Sequence, residues 1–155
     1  MANQIRKMHT MGMRKVWTYD PHSAGVKIPP QLQVETRGRI LRYAEDHYRG
    51  KFTRIDVQFR GALCYIDAYM EPFPPSPQIL KANGETRAAY MERLRNVPTH
   101  LCRLRYLGPY RNAWSVAFFT HSHERYEPTF FENGRLEGTP EEGFEVGAVY
   151  LQSRV

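Results

Sequence analysis

Four residues able to do acid–base or binding chemistry stand at alternate positions in RIDVQFRGALCYIDAYMEP, residues 54–72. Because side chains alternate across a strand, Asp56, Tyr65, Asp67 and Tyr69 are predicted to point the same way. Paired carboxylates can serve acid–base hydrolysis or phosphodiester cleavage, whereas tyrosine rings can stack on nucleic-acid bases. The same row is also compatible with the solvated side of a sheet, stabilised by cross-strand ion pairs.

The register of these two strands decides which side chains meet. A two-residue turn at Arg60-Gly61 predicts that Arg54 faces Asp67 and that Asp56 faces Tyr65. An arginine opposite Asp67 would favour its ionised form, which leaves Asp56 as the better candidate base. Arginine is an unusual first residue for such a turn, so a bulged alternative with a shifted register stays open.

Two later segments, HLCRLRYL at 100–107 and AWSVAFFTHSH at 113–123, also alternate and are predicted to be strands. If they are in phase with the first hairpin, they add arginines, a phenylalanine and histidines to the polar face. Arginine contacts phosphate and stacks on rings, so this mixture suits single-stranded nucleic acid. The predicted ligand-binding residues are Tyr65, Tyr69, Arg103 and Arg105. The candidate catalytic residues are Asp56, Asp67 and His121.

The HSH tripeptide would place His121 and His123 on one side of an extended strand, a spacing that can chelate a divalent ion. A third ligand would have to come from His100 or from an aspartate of the facing strand. No further Cys or His stands at a familiar metal spacing, so the sequence predicts no metal site. It predicts no cofactor either, since the phosphate-binding, dinucleotide, zincin and nucleophile-elbow motifs are missing from it.

The formal net charge of +6 is spread unevenly along the 155 residues. Residues 1–53 carry ten basic and four acidic side chains, whereas residues 112–155 carry three and seven. A basic N-terminal third and an acidic C-terminal third of the chain predict an anionic partner or self-association, although a net charge can also serve only to keep the protein soluble. Nucleic acid is the first expectation for the partner, and a homodimer or a protein-interaction domain is an alternative.

The order of predicted elements indicates the α+β class. Helical patterns at 31–50, 85–96 and 138–152 alternate with two strand pairs and a fifth strand in YEPTFF. We expect an antiparallel sheet of about five strands, with two main helices packed on one face and a polar second face. The last helix has the strongest start signal, a capping box in which Thr139 precedes Pro140 and Glu142.

Composition predicts a single domain over 1–155 with an extended basic N-terminal arm at about 1–30. The basic N-terminus has no apolar core of a signal peptide, and no segment reaches the roughly 18 apolar residues of a membrane span. We therefore expect a cytoplasmic protein without a membrane partner. The two cysteines, Cys64 and Cys102, fall on predicted core faces and are expected to be unreactive thiols.

Four segments resemble an uncharacterised bacterial protein family: YDPHSAGVKIPP, FRGALCYIDAY, HLCRLRYLG and GTPEEGFEVGAVYL. The resemblance covers most of the chain. It implies a small bacterial cytoplasmic protein, and it implies no particular activity and no functional residues.

Overall fold

The computed structural model of the chain describes residues 24–152. Five strands form one antiparallel sheet in sequence order, so the prediction of an α+β protein with a five-stranded sheet is confirmed. The strands are β1 (Arg54–Arg60), β2 (Leu63–Tyr69), β3 (Thr99–Tyr106), β4 (Trp114–Thr120) and β5 (Arg125–Thr129). The helices are α1 (Pro30–Tyr48), α2 (Pro77–Asn83), α3 (Arg87–Arg95), α4 (Pro140–Gly147) and the short α5 (Val149–Gln152).

The two main helices lie on one face of the sheet, as predicted. Helix α4 packs across β3 and β4, and α1 packs against β1 and α4. Between the helices and the sheet lies a core of fully buried side chains that includes Ile40, Cys64, Ile66, Leu104 and Phe144. Polar contacts join the two helices over this core: Arg39 pairs with Glu141 at 2.7 Å, and the Tyr48 hydroxyl donates to Glu145 at 2.7 Å.

Helix α4 begins as its sequence predicts. The Thr139 side chain accepts from the backbone N–H of Glu142, and the Glu142 carboxylate accepts from the backbone N–H of Thr139. This reciprocal pair satisfies two backbone donors that the first turn of a helix otherwise leaves open. Beyond the cap, the spacing of Phe144, Ala148 and Leu151 predicts an inward stripe, and all three side chains are fully buried.

The helical spacing of Val34, Leu41, Ala44 and Tyr48 predicts that these four side chains form the buried stripe of α1. Ala44 and Tyr48 face the core as expected, but Val34 is 65% exposed and Leu41 is 39% exposed. The stripe is completed by Ile40 and Thr36 at four-residue spacing, which keeps one row of the helix over the sheet. The prediction for Val34 and Leu41 was therefore wrong.

The region between β2 and β3 is more helical than the sequence predicts. Four prolines within residues 72–77 predict a surface loop over 71–85, yet this stretch contains α2, which Ser76 caps by accepting from the N–H of Ile79 at 3.3 Å. Helical spacing predicts that Ala89, Tyr90 and Leu94 of α3 face inward, but neither α2 nor α3 contains a buried residue. Ala89 is exposed, and Tyr90 and Leu94 are only partly covered. These two helices are peripheral to the core.

The first hairpin has a different register from the predicted one. The turn residues are Gly61-Ala62, so Arg60 pairs with Leu63 and Asp56 lies opposite Asp67. Gly61 has a φ of 61°, a left-handed conformation that glycine adopts without strain and that arginine disfavours. The predicted turn required Arg60 in that kind of position, which explains the shift by one residue.

The edge strands β1 and β5 each have a feature that limits further pairing. The Arg37 guanidinium of α1 donates to the backbone carbonyl of Val57 at 3.0 and 3.3 Å, and it lies 5.1 Å from the centre of the Phe59 ring. Pro128 lies in the other edge strand, β5, where its missing N–H breaks the donor row.

Within residues 24–152, no helix is long and apolar enough to cross a membrane.

Candidate functional site

The face of the sheet opposite α1 and α4, here called the far face, carries most of the residues selected from the sequence. Strand pairing aligns Tyr65 with Arg103 and with Ala117, and Asp67 with His100. Asp56, Tyr65, Asp67, Tyr69, Arg103 and Arg105 all belong to this face, so the alternation was interpreted correctly even though the hairpin register was not. Their roles as binding or catalytic residues stay predictions.

A β-bulge shapes the centre of the far face. The β2–β3 register shifts between Ile66 and Asp67, so that Ile66 pairs with Cys102 but Asp67 pairs with His100. Leu101 and Cys102 are both fully buried on the helix side, as expected where one strand has an extra residue. The bulge brings the His100 ring into contact with the Asp67 carboxylate, with Nδ1 2.8 Å from Oδ1.

Four rings, one each from β2, β3, β4 and β5, lie in edge-to-face or tilted contact around Tyr126 and are here called the aromatic row. The Tyr126 ring lies 5.6 Å from Tyr65 and 5.2 Å from Phe119, and Phe119 lies 4.8 Å from His100, measured between ring centres. All four side chains are partly exposed. The row therefore offers apolar ring surface to solvent beside polar groups, the combination that bases and other planar ligands use.

The two arginines that the sequence predicts to bind a ligand are more buried than side chains on a fully solvated sheet face. Arg103 is 9% exposed and its guanidinium lies 5.2 Å from the centre of the Tyr126 ring, so it belongs to the aromatic row. Arg105 is 5% exposed, and its stem lies against the backbone of Gly25, where a Cβ would come within 2.8 Å of the Arg105 Cγ.

A second cation lies at the β1 end of the far face. The Arg54 guanidinium lies 4.1 Å from the centre of the Tyr69 ring and 3.3 Å from the Asp56 carboxylate. The predicted pairing of Arg54 with Asp67 is wrong, because the shifted register places Tyr69 opposite Arg54. Asp56 thus has an arginine beside it, and Asp67 has a histidine.

The two metal-ligand candidates do not converge. β4 ends at Thr120, so His121 and His123 lie in the turn before β5 rather than on one side of an extended strand. His123 Nδ1 lies 2.6 Å from a Glu127 oxygen, whereas the His121 ring packs 4.9 Å from Tyr150. Within residues 24–152, no group of three or more His, Cys, Asp or Glu side chains is placed to hold a metal ion.

The chemical state of two groups near the far face follows from their surroundings. Burial raises the pKa of the Tyr126 hydroxyl above its ordinary range, and the negative charge of Asp67 adds to this effect. Tyr126 therefore stays protonated and acts as a hydrogen-bond donor or a stacking surface. In the turn, hydrogen bonds from His123 and then Arg125 lower the pKa of Glu127, which stays ionised.

His100 and Tyr126 are the two site residues that sequence reasoning missed. His100 was considered only as a third metal ligand, since nothing in the local pattern shows the bulge that brings it opposite Asp67. The sequence places Tyr126 on the fifth strand but does not show which face of the sheet its side chain occupies, because the short β5 contains Pro128 and alternates weakly. Tyr126 and Pro128 are two residues apart, so alternation along β5 places them on one face of the sheet. This is the signal that could have assigned Tyr126 to a face.

One groove lies away from the far face, between the proline-rich segment and α3. Pro72, Pro74 and Met91 line it, and the Glu71–Arg95 pair at 2.8 Å borders it. None of the site residues predicted from the sequence contributes to its lining.

Comparison with protein-family models found no match for this chain, and comparisons with curated proteins and with solved structures found no similar protein. The resemblance to an uncharacterised bacterial family therefore stays a prediction, and the functional argument depends on the far face alone.

Proposed function

We propose that the protein is a small binding module that holds single-stranded nucleic acid on the far face. The observation that carries the proposal is the aromatic row, in which Tyr65, Tyr126, Phe119 and His100 follow one another at 4.8 to 5.6 Å across four strands. Stacking of bases on aromatic side chains is sequence-tolerant and contributes about 1–3 kcal/mol per base. Because the four rings pack edge-to-face or tilted against one another, bases would stack on the ring surfaces that the row leaves exposed.

The charges around the row favour an anionic chain. Arg103 lies over the Tyr126 ring inside the row, and the 61%-exposed Arg54 side chain lies over Tyr69 at its side. Each acidic group of the face has a partner that reduces its repulsion of phosphate: Arg54 beside Asp56 and His100 beside Asp67. The basic N-terminal residues and a cytoplasmic location fit the same proposal.

Replacing Tyr65 with alanine should weaken binding of a labelled single strand of about a dozen nucleotides roughly 10-fold, because one stacking plane is removed. Fluorescence anisotropy at about 50 mM and 200 mM salt would measure the affinity, which should fall steeply with salt. Tyr110→Ala is the matched control, since Tyr110 is fully exposed in the β3–β4 loop and lies outside the far face. Absence of binding at low salt, or equal losses in both variants, would contradict the proposal.

The same aromatic row could instead be buried against a second copy of the chain. Light scattering separates these alternatives by measuring the mass of the protein in solution. A mass of 18.2 kDa means a monomer, whose far face is available to an oligonucleotide, whereas twice that mass means a dimer. A stable dimer that loses its association in the Tyr65→Ala variant would favour the interaction domain over the nucleic-acid module.

A further inference from the structure

The His100–Asp67 pair has the geometry of an oriented general base. Asp67, when ionised, can only accept a hydrogen bond, so the 2.8 Å contact assigns the proton between them to His100 Nδ1. The other ring nitrogen, Nε2, is then left with its lone pair. The Asp67 side chain is 18% exposed and that of His100 is 39% exposed, so the carboxylate is sheltered while the imidazole reaches solvent.

The pair lies inside the proposed binding surface. The His100 ring is the end of the aromatic row, 4.8 Å from Phe119 and 6.2 Å from Tyr126. Arg103, over the same Tyr126 ring, supplies a positive charge close by. A nucleotide stacked on the row therefore brings its ribose and phosphate to a basic nitrogen and a guanidinium.

We propose that His100, oriented by Asp67, is a catalytic base that cleaves single-stranded RNA bound on the far face. This proposal depends on the proposed function and adds the substrate class and the reaction. RNA is specified because its 2′-hydroxyl is the group that an imidazole can activate, and DNA lacks it. Asp67 is a positioning residue that holds the tautomer and orientation of the imidazole.

The reaction is an internal transfer that balances without a further reactant. His100 Nε2 takes the proton of a ribose 2′-hydroxyl as the 2′ oxygen attacks the adjacent phosphorus. A bond forms between phosphorus and the 2′ oxygen, and the bond between phosphorus and the 5′ oxygen breaks. The imidazolium returns the proton to the departing 5′ oxygen, directly or through water. The products are a 2′,3′-cyclic phosphate and a 5′-hydroxyl, while Arg103 offsets the charge that develops on phosphate.

The test uses the full chain with a labelled RNA of about a dozen nucleotides, in the presence of a chelator. Strands of the same sequence made of DNA or of 2′-O-methyl RNA are the chemical controls. We expect the RNA alone to be cleaved, with cyclic phosphate ends detected by mass spectrometry, and all three strands to be bound. Binding of all three with no cleavage of RNA would overturn the catalytic proposal and leave the binding proposal intact. Binding of none would overturn both.

His100→Gln should lower the cleavage rate at saturating RNA about 100-fold, the usual contribution of a positioned base. Because one ring of the aromatic row is also removed, the affinity for RNA should fall by no more than about 10-fold, which anisotropy measures and saturation compensates. His123→Ala is the matched control, because His123 is exposed, lies in the β4–β5 turn and bonds to Glu127. A circular dichroism spectrum checks that both variants fold. An unchanged rate in His100→Gln would overturn the assignment, since a contaminating nuclease or another residue would then perform the cleavage.

Asp67→Asn distinguishes the positioning role from a structural one. The amide has nearly the shape of the carboxylate but lacks its charge, so it holds the tautomer and orientation of the imidazole less firmly, and the cleavage rate at saturating RNA should fall at least about 10-fold. The affinity for RNA and the circular dichroism spectrum should stay unchanged, because neither depends on which nitrogen of His100 carries the proton. An unchanged rate, or a loss of rate that accompanies loss of folding or binding, would contradict the role given to Asp67.

Discussion

Replacing Gly147 with alanine should lower the free energy of unfolding by about 3 kcal/mol, one of the largest effects expected of any single methyl group in this protein. Gly147 ends α4 where the helix crosses β3. A Cβ at this position would come within 2.8 Å of three atoms of Leu101: its backbone carbonyl carbon, its carbonyl oxygen and its Cβ. Leu101 is the extra residue of the β-bulge, and paired residues of β3 stand on both sides of it. Its backbone atoms therefore cannot move far without disturbing the sheet, so the helix would have to lift away from the core.

Alanine variants at two other glycines should give smaller losses in the free energy of unfolding, or none, and urea unfolding can measure all three variants. Gly143 stands one turn earlier, and a Cβ there would meet the end of the Leu104 side chain, which can rotate away. Gly143→Ala should therefore cost less than Gly147→Ala. Gly38 lies on the exposed side of α1, and an added methyl group there would meet no atom within 4 Å, so Gly38→Ala should be neutral or stabilising by up to about 1 kcal/mol. A different order of the three would show that α4 does not approach β3 this closely.

Stability should also fall steeply in alkali, because the core contains groups that ionise readily only after unfolding. Burial raises the pKa of the Cys64 thiol from 9.0 to about 12, and burial raises that of Cys102 well above its ordinary value. The folded state therefore keeps these protons while the unfolded chain loses them. Their contribution to stability is complete below pH 9 and is lost as the pH rises toward 12.

The expected loss is about 1.4 kcal/mol per pH unit for each thiol once the pH exceeds the ordinary thiol pKa. Tyrosines add to the loss at higher pH. Burial and then the hydrogen bond to Glu145 raise the pKa of Tyr48 from 10.0 to about 12, and burial also raises the pKa of Tyr43 and of Tyr126. Urea unfolding under reducing conditions between pH 8 and about pH 11 would measure this dependence.

The double variant Cys64→Ala/Cys102→Ala separates the thiols from the tyrosines. It should be less stable than the parent near pH 8, because two buried sulfur atoms are removed, but its stability should vary little until the tyrosines of the unfolded chain begin to ionise near pH 10. If the variant instead loses stability as steeply as the parent between pH 9 and pH 10, the buried thiols are not the cause.

Much of the fold is predictable from local patterns. Alternation located the first four strands to within a few residues, because each of them has one row of buried side chains under the helices. The capping box at Thr139 located the start of α4, since its reciprocal hydrogen bonds form within four residues of chain. Both signals depend on interactions between near neighbours, which the sequence displays directly.

The errors arose where pairing over longer distances decided the outcome. Whether a hairpin turns at Arg60-Gly61 or at Gly61-Ala62 changes no residue's face but changes every cross-strand partner. The β2–β3 bulge likewise has no local signature, yet it creates the contact between Asp67 and His100. In α1, hydrophobicity alone predicts that Val34 is buried and Thr36 is exposed, but Thr36 is buried and Val34 is exposed. The candidate site was therefore predictable as a face and not as a set of contacts.

The contact of Arg37 with the edge of β1 has a consequence for the behaviour of the protein at high concentration. An open strand edge is a template on which another molecule can add a strand, and repeated addition leads to fibrils. Arg37 occupies the Val57 carbonyl and places a positive charge beside that edge. Arg37 thus opposes the addition of a further strand at this edge. Because Arg37 belongs neither to the core nor to the far face, replacing it would expose the edge without removing a side chain from either of them.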